Sequence, residues 1–133
     1  MKTLVILFAL FIFGGANLFA QDKMALDTIS SKDAKDYIGK TVVVKGLVAD
    51  KFTSRSGNTF INFDDKSPNQ TFTIAIFQES KIDATSISIG SWVLVSGEIK
   101  LYKERPEIVV SKNEQLISVN HSDDGKPAPE SGK

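Results

Sequence analysis

Two segments of the chain share the pattern Val-x-Val-x-Gly-x-(Val or Ile), in which a glycine interrupts a β-branched run. They cover residues 42–48 and 93–99. β-branched residues favour strands, alternate residues of a strand lie on one face, and a glycine in such a run marks a bend or a close backbone approach. We therefore expect two glycine-bent strands that curl a small barrel, with two ordinary sandwich strands as the alternative. The apolar positions in phase are Val42, Val44 and Val48 in the first segment, and Val93, Val95 and Ile99 in the second.

Residues 1–20 have the pattern of a secretory signal. Lys2 supplies the positive start, an apolar run extends from Leu4 to Phe13, and small residues follow. We expect cleavage after Ala20, with Ala16 as the alternative site. A membrane anchor is the competing interpretation, but the run is shorter than the roughly 20 residues of a spanning helix. The sequence thus predicts an exported protein, periplasmic or secreted, and a chain without cysteine has no disulfide to stabilise it.

The remaining chain divides into a flexible lead-in at 21–29, one domain at 30–119 and a disordered tail at 120–133. The tail is predicted from its lack of apolar residues and its abundance of Asp, Gly, Lys, Pro and Ser. Ser30 and Asp33 fit a capping box, so a short N-terminal helix is expected before Gly39. Acidic and basic residues are equally numerous, and the overall charge therefore does not by itself indicate a nucleic-acid partner.

The domain pattern predicts an all-β fold with five strands. A packed edge is added near 116–119, and 78–91 is either a short helix or an irregular crossing. Three strands, a crossing and two more strands is the chain order of a five-stranded Greek-key barrel, with a six- or seven-stranded sandwich as the competing fold. The predicted strands are 40–52, 59–64, 71–76, 92–102 and 107–111.

Three stretches of the domain carry a family resemblance. They read SRSGNTFINF at 54–63, PNQTFT at 68–73 and IKLYKERPEIV at 99–109. Between about 37 and 117 the chain resembles small bacterial OB-fold proteins related to nucleic-acid-binding modules, such as those that accompany secreted thermonuclease-type nucleases. The resemblance implies a five-stranded OB-fold Greek-key barrel. The chain departs from these relatives because it has no attached nuclease domain and a balanced charge.

In an OB-fold, ligands lie across the second and third strands, between the first-to-second and fourth-to-fifth loops. Cations and aromatic rings near those loops could bind phosphates and stack bases, which is how proteins hold single strands. Exposed lysines also serve as ordinary solubility and edge-protection residues, so surface decoration is the alternative. The candidate ligand-binding residues are the cations Lys45, Lys51, Arg55, Lys100, Lys103 and Arg105, the aromatics Phe52, Phe60 and Tyr102, and the outward-phase polar residues Asn62 and Thr73.

The sequence does not predict an enzyme, a cofactor or a metal site. His121 is the only histidine and falls in the predicted tail, and no phosphate loop or Ser-His-Asp arrangement is visible. Asp64 and Asp65 are adjacent, so in a strand they point to opposite faces and do not form a shared acid/base site. Contact with a calcium ion is the alternative role for these two carboxylates. We therefore predict a non-enzymatic module that binds single-stranded nucleic acid weakly. The alternative is an exported interaction module for an envelope protein, peptide or glycan.

Overall fold

The computed structural model describes residues 25–121, which form one curled β-sheet with short 3₁₀ helices. The predicted signal peptide and residues 122–133 of the predicted tail lie outside this range. Within it, no helix is long and apolar enough to cross a membrane. The strands are β1 Thr28–Ser30, β2 Thr41–Thr53, β3 Thr59–Phe63, β4 Phe72–Ile76, β5 Ser91–Glu98, β6 Lys100–Tyr102, β7 Arg105–Val109 and β8 Leu116–His121. The 3₁₀ helices are Ser31–Asp36, Gln78–Ser80 and Asn113–Gln115.

The strand order is β6-β7-β4-β3-β2-β5-β8, and β1 pairs with β2 outside this path. β2 is long enough to serve both halves of the sheet: its residues 41–47 pair with β5, and its residues 48–53 pair with β3. The β1–β2 and β4–β7 pairings are parallel, and the others are antiparallel. Because one strand joins the two halves, their inward residues contribute to a single core.

The glycines of the repeated pattern leave room for buried side chains. A Cβ atom added to Gly46 would lie 2.2 Å from a ring carbon of Phe63, and one added to Gly97 would lie 2.6 Å from a methyl carbon of Ile108. Both neighbouring side chains are fully buried. Ile108 belongs to β7, which is not hydrogen-bonded to the strand of Gly97, so the sheet curls until β5 and β7 touch. The predicted close approach at the two glycines is confirmed.

The predicted five-stranded barrel is wrong in strand number and in closure. The described residues form eight strands in an open sheet, with β6 and β8 at its ends. The predicted fourth strand, 92–102, divides at Ile99, whose side chain is buried. Its N–H donates to the Lys40 carbonyl at 3.0 Å, and its carbonyl accepts from the Gly39 N–H at 2.7 Å. These bonds divert the chain from β5 into β6. The competing sandwich is not observed either, because the strands belong to one sheet.

The other additional strands lie at the predicted domain boundaries. β1 occupies the end of the segment predicted as a flexible lead-in, where Ile29 is buried beside β2. β8 includes Asn120 and His121, which the sequence assigned to the tail. β1 buries only Ile29, and no side chain of β8 is fully buried, so the apolar pattern does not mark where either strand begins or ends. The strands therefore begin and end two residues outside the predicted range of 30–119.

The predicted N-terminal helix is present as a 3₁₀ helix. The Ser30 hydroxyl accepts from the Lys32 N–H at 3.3 Å, and Ala34 is fully buried against the sheet. The carboxylate of Asp64 accepts hydrogen bonds from the hydroxyls of Ser31, at 2.6 Å, and Thr71. These contacts fix the helix to the end of β3.

Replacement of Val95 by alanine is expected to cost about 2–3 kcal/mol of folding free energy, because it removes two buried methyl groups and leaves a cavity. Val95 is fully buried and lies opposite the equally buried Val44. Urea denaturation measures the change, and Val109→Ala, at a half-buried position on the outer face, serves as the control. A cost below about 0.5 kcal/mol for Val95→Ala would contradict the core assignment.

Candidate functional site

A groove of about 550 Å³ lies over the outer face of β3 and β4. The end of β2 borders it on one side, and the β6–β7 hairpin borders it on the other. Eight of the residues predicted from the sequence line it: Lys51, Phe52, Phe60, Asn62, Thr73, Tyr102, Lys103 and Arg105. The sequence reasoning missed six further lining residues: Asp50, Ser67, Pro68, Gln70, Pro106 and Glu107.

Polar residues form one continuous row that crosses the floor of this groove and ends outside its lining, on β6. Direct cross-strand partners lie on the same face of a sheet. The row is Asp50 on β2, Asn62 on β3, Thr73 on β4, Glu107 on β7 and Lys100 on β6, each the register partner of the next. The outer face of these strands is therefore polar over its whole width, in contrast to the apolar inner face.

Hydrogen bonds hold the middle of the row in place. The Thr73 hydroxyl donates to the Asn62 side-chain carbonyl at 2.8 Å, and the Asn62 amide donates to the Asp50 carboxylate at 3.3 Å. The Gln70 amide in turn donates to the Thr73 hydroxyl at 3.3 Å. Asn62 and Thr73 are only 4% and 7% exposed, so these residues form a buried floor and not the exposed face that the sequence suggested. The Thr73 hydroxyl and one of the two N–H groups of the Asn62 amide donate within the chain.

Aromatic rings stand on both sides of the floor. Phe52 and Phe60 are cross-strand partners on β2 and β3, and Tyr102 lies on β6, beyond β4 and β7. Phe52 is 59% exposed and Tyr102 is 56% exposed. Rings with this much free surface beside a polar floor can contact the faces of planar ligands without any unfolding.

The three cations of the groove differ in how freely they can meet a ligand. The Lys51 ammonium donates to the carbonyls of Ala84 and Ile87 at 2.6 and 2.9 Å, so its charge fixes the crossing after β4. Arg105 donates one hydrogen bond to the Gln70 carbonyl at 3.2 Å and retains other donors. The Lys103 ammonium lies 5.4 Å from the centre of the Tyr102 ring. Lys103 and Arg105 are therefore the cations that a ligand in the groove can reach.

Three predicted site residues lie outside the groove lining. The Lys45 ammonium stands 5.5 Å from the centre of the Trp92 ring, over β2 and β5. Arg55 is exposed in the turn between β2 and β3, and Lys100 is exposed at the β6 end of the polar row. The structure thus gathers the aromatic and polar candidates but disperses half of the cations.

Glu107 is the most unusual residue of the site. Only 9% of it is exposed, and no other residue in the range 25–121 forms a hydrogen bond or ion pair with its carboxylate. Burial disfavours the charged form and raises the pKa of Glu107. The side-chain oxygen of Gln70 is also buried, and it has no hydrogen-bond partner among the described residues. Glu107 is therefore the acceptor without a donor that a ligand in the groove can reach, whereas the Gln70 oxygen is enclosed. In the sequence, Glu107 is visible only as an outward-phase glutamate beside the inward Ile108. That pattern does not reveal its burial in the floor of the groove.

His121 does not form a catalytic arrangement with its neighbours. Its Nδ1 lies 3.0 Å from the Ser91 hydroxyl and 3.4 Å from the Ser88 hydroxyl, which attaches β8 to the start of β5. Ser91 is 1% exposed, so a substrate cannot reach its oxygen. Across residues 25–121 no three His, Asp or Glu side chains group closely enough to hold a metal ion.

A family model described as an OB-fold nucleic acid binding domain matches residues 42–116, more than half of the 133-residue chain. No curated protein matches the chain.

Similar solved structures include a proposed aspartyl-tRNA synthetase from Leishmania major Friedlin. It has 14% sequence identity and a TM-score of 0.48, and the match covers 70% of this chain and 21% of that one. This chain therefore spans about a fifth of the length of that protein. Another is a proposed nucleic acid-binding lipoprotein from Klebsiella pneumoniae subsp. pneumoniae MGH 78578, with 21% identity and a TM-score of 0.41. That match covers 59% of this chain and 73% of the other.

Proposed function

The chain belongs to the family of OB-fold nucleic acid binding domains, and on that basis we propose that it is a non-enzymatic module that binds single-stranded nucleic acid in the groove over β3 and β4. The observation that carries the proposal is the combination of exposed aromatic rings, reachable cations and a polar floor in one groove. Duplex DNA buries the base faces that these rings would contact. A single strand leaves the base faces free.

The aromatic rings supply most of the expected affinity. A base stacked on an aromatic side chain contributes about 1–3 kcal/mol, largely independent of base type. Phe52 and Tyr102 stand far enough apart, on β2 and β6, to contact different nucleotides of one strand. Phe60 lies next to Phe52 and extends the first of these two surfaces.

The cations supply a smaller, salt-dependent contribution. The carboxylates of Asp50 and Glu107 lie in the same groove as Lys103 and Arg105, so the local charge is close to balanced. We therefore propose weak binding, in which phosphate contacts orient the strand and stacking holds it.

The salt dependence of binding is expected to be shallow. For single strands, log K falls with log salt at about −0.7 per neutralised phosphate, so Lys103 and Arg105 give a slope near −1.4. If all six candidate cations took part, the slope would be about −4. Fluorescence anisotropy of a labelled oligonucleotide at several salt concentrations measures it. Lys103→Ala should reduce the slope by about 0.7, whereas the control Lys45→Ala, at a lysine beside Trp92, should not change it.

Two further parts of this proposal rest on the sequence. The apolar N-terminal run supports export, so the proposed binding takes place in the periplasm or outside the cell. An envelope protein, peptide or glycan is the competing partner class in that location. A folded protein that fails to bind an oligonucleotide at low salt, but retains an envelope protein or glycan, would contradict nucleic-acid binding and establish the alternative.

A further inference from the structure

We propose that the groove selects guanine at one nucleotide position, by hydrogen bonds from the guanine Watson–Crick edge to the carboxylate of Glu107. The inference rests on the proposed function, because it assumes that a base enters the groove. The inference goes beyond the proposed function because it names the base and the residue that binds this base. The geometry that points to it is a nearly buried carboxylate in the groove floor without a donor from the described part of the chain.

The hydrogen-bonding state of the floor determines what a ligand must bring. The Asn62 amide and the Thr73 hydroxyl already donate within the chain, to Asp50 and Asn62 respectively. The Glu107 carboxylate lines the groove and receives no hydrogen bond from residues 25–121, whereas the unpartnered Gln70 side-chain oxygen is enclosed and out of reach of a ligand. A buried polar group without a partner is destabilising, and more so when it is charged. A ligand that places N–H groups here therefore gains free energy, whereas a ligand that places acceptors here does not.

Guanine is the base that meets this requirement. Its Watson–Crick edge carries two adjacent donors, N1–H and N2–H₂, which match the two oxygens of an ionised carboxylate. Adenine and cytosine each place a ring-nitrogen acceptor beside their amino group, and that acceptor would face the second carboxylate oxygen. Thymine and uracil carry a single N–H between two carbonyls. A carboxylate only accepts hydrogen bonds, so it pairs twice with guanine and at most once with the others.

The selectivity can be measured with thymidine oligonucleotides of about eight nucleotides, within the ~4–16 that one OB-fold covers. A central nucleotide is replaced by guanine, adenine or cytosine, and affinities are determined by anisotropy at about pH 8, where a carboxyl with a raised pKa is predominantly ionised. We expect the guanine oligonucleotide to bind about tenfold more tightly than the other three, at the lower part of the range for one bidentate contact.

Glu107→Gln should reduce this preference to within about twofold, because an amide offers one acceptor and one donor in place of two acceptors. Because the substitution also removes a negative charge from the groove, the readout is the ratio of the guanine affinity to the thymidine affinity, and not either affinity alone. Glu98→Gln is the matched control, since Glu98 is an exposed glutamate outside the groove lining, and it should keep the full preference. Circular dichroism verifies that each variant is folded.

A guanine-to-inosine replacement tests the same contact without any change to the protein. Inosine lacks the 2-amino group, so the oligonucleotide should lose most of the guanine preference. Equal binding of all four oligonucleotides by the native protein would overturn the guanine inference and leave the proposed function standing. Retention of the preference in Glu107→Gln, or with inosine, would also overturn it. Failure of every oligonucleotide to bind would contradict the proposed function itself.

Discussion

Replacement of Gly46 by alanine is expected to cost about 3 kcal/mol or more, at or beyond the upper end of overpacking effects. The new methyl carbon would lie 2.2 Å from one carbon of the Phe63 ring and 2.8 Å from two others. Phe63 is fully buried and stands 5.3 Å, centre to centre, from the ring of Phe72, so it cannot move aside into solvent. A single domain has only about 5–15 kcal/mol of stability. Urea denaturation should therefore show a large decrease in midpoint, or no folded baseline.

A double-mutant cycle would locate the cause of this loss. Phe63→Leu alone should cost about 1–2 kcal/mol, less than truncation to alanine, because part of the buried volume remains. Leucine lacks the colliding Cε2, and its Cδ methyl groups can rotate about χ2 away from the alanine at position 46, so part of the collision is relieved. The double variant should thus be more stable than the sum of the single effects predicts, by about 1–3 kcal/mol.

Gly97 provides the matched control for the cycle. Its added methyl would meet the Cγ2 methyl of Ile108 and not Phe63, so Phe63→Leu should not rescue Gly97→Ala, whereas Ile108→Ala, which removes that methyl, should relieve part of the loss. If the urea midpoint of Gly46→Ala is nearly that of the native protein, stability does not require the close approach of the two strands over the core. Equal rescue of both glycine variants by Phe63→Leu would show that the rescue is not specific to the contact.

The sequence predicted the strands whose patterns are long and periodic. β2, β3 and β4 lie within one residue of their predicted limits, because alternating apolar residues over five or more positions leave only one face to bury. β1 was not predicted, and β8 was predicted only as a packed edge near 116–119, because the extent of each strand depends on pairing with a distant partner. The break at Ile99 was also not predictable from periodicity, since it depends on hydrogen bonds to residues 39 and 40.

The site was predictable where it depends on residue type and not where it depends on register. Phe52, Phe60 and Tyr102 were identified because aromatic residues near OB-fold loops are natural stacking surfaces. Glu107 was not, because its position in the floor requires the parallel pairing of β4 with β7, which sets it opposite Thr73. The ammonium of Lys51 illustrates the reverse case: a lysine in the correct segment whose charge is bound by backbone carbonyls. Neither the position of Glu107 in the floor nor the bonding of the Lys51 ammonium can be predicted from local sequence.

Removal of the aromatic rings from both sides of the groove is expected to have the largest effect on binding. Phe52→Ala and Tyr102→Ala should each weaken single-strand binding about tenfold, and the double variant about hundredfold, because each ring stacks about one base at 1–3 kcal/mol. Both side chains are more than half exposed, so stability should change little. Anisotropy titration with a labelled thymidine oligonucleotide at low salt measures the affinities.

Trp92 is the control that distinguishes the loss of a ring in the groove from the loss of any exposed aromatic ring. Its ring is 41% exposed and lies beside the Lys45 ammonium, so it also combines an aromatic face with a cation, but it is on β5 and outside the groove lining. Trp92→Ala should bind the oligonucleotide as the native protein does, and Phe52→Tyr or Tyr102→Phe should retain most of the affinity. If Trp92→Ala lost as much oligonucleotide affinity as Tyr102→Ala, the nucleic acid would lie on the face formed by β2 and β5. Lys45 and Trp92, and not the polar row, would then determine binding.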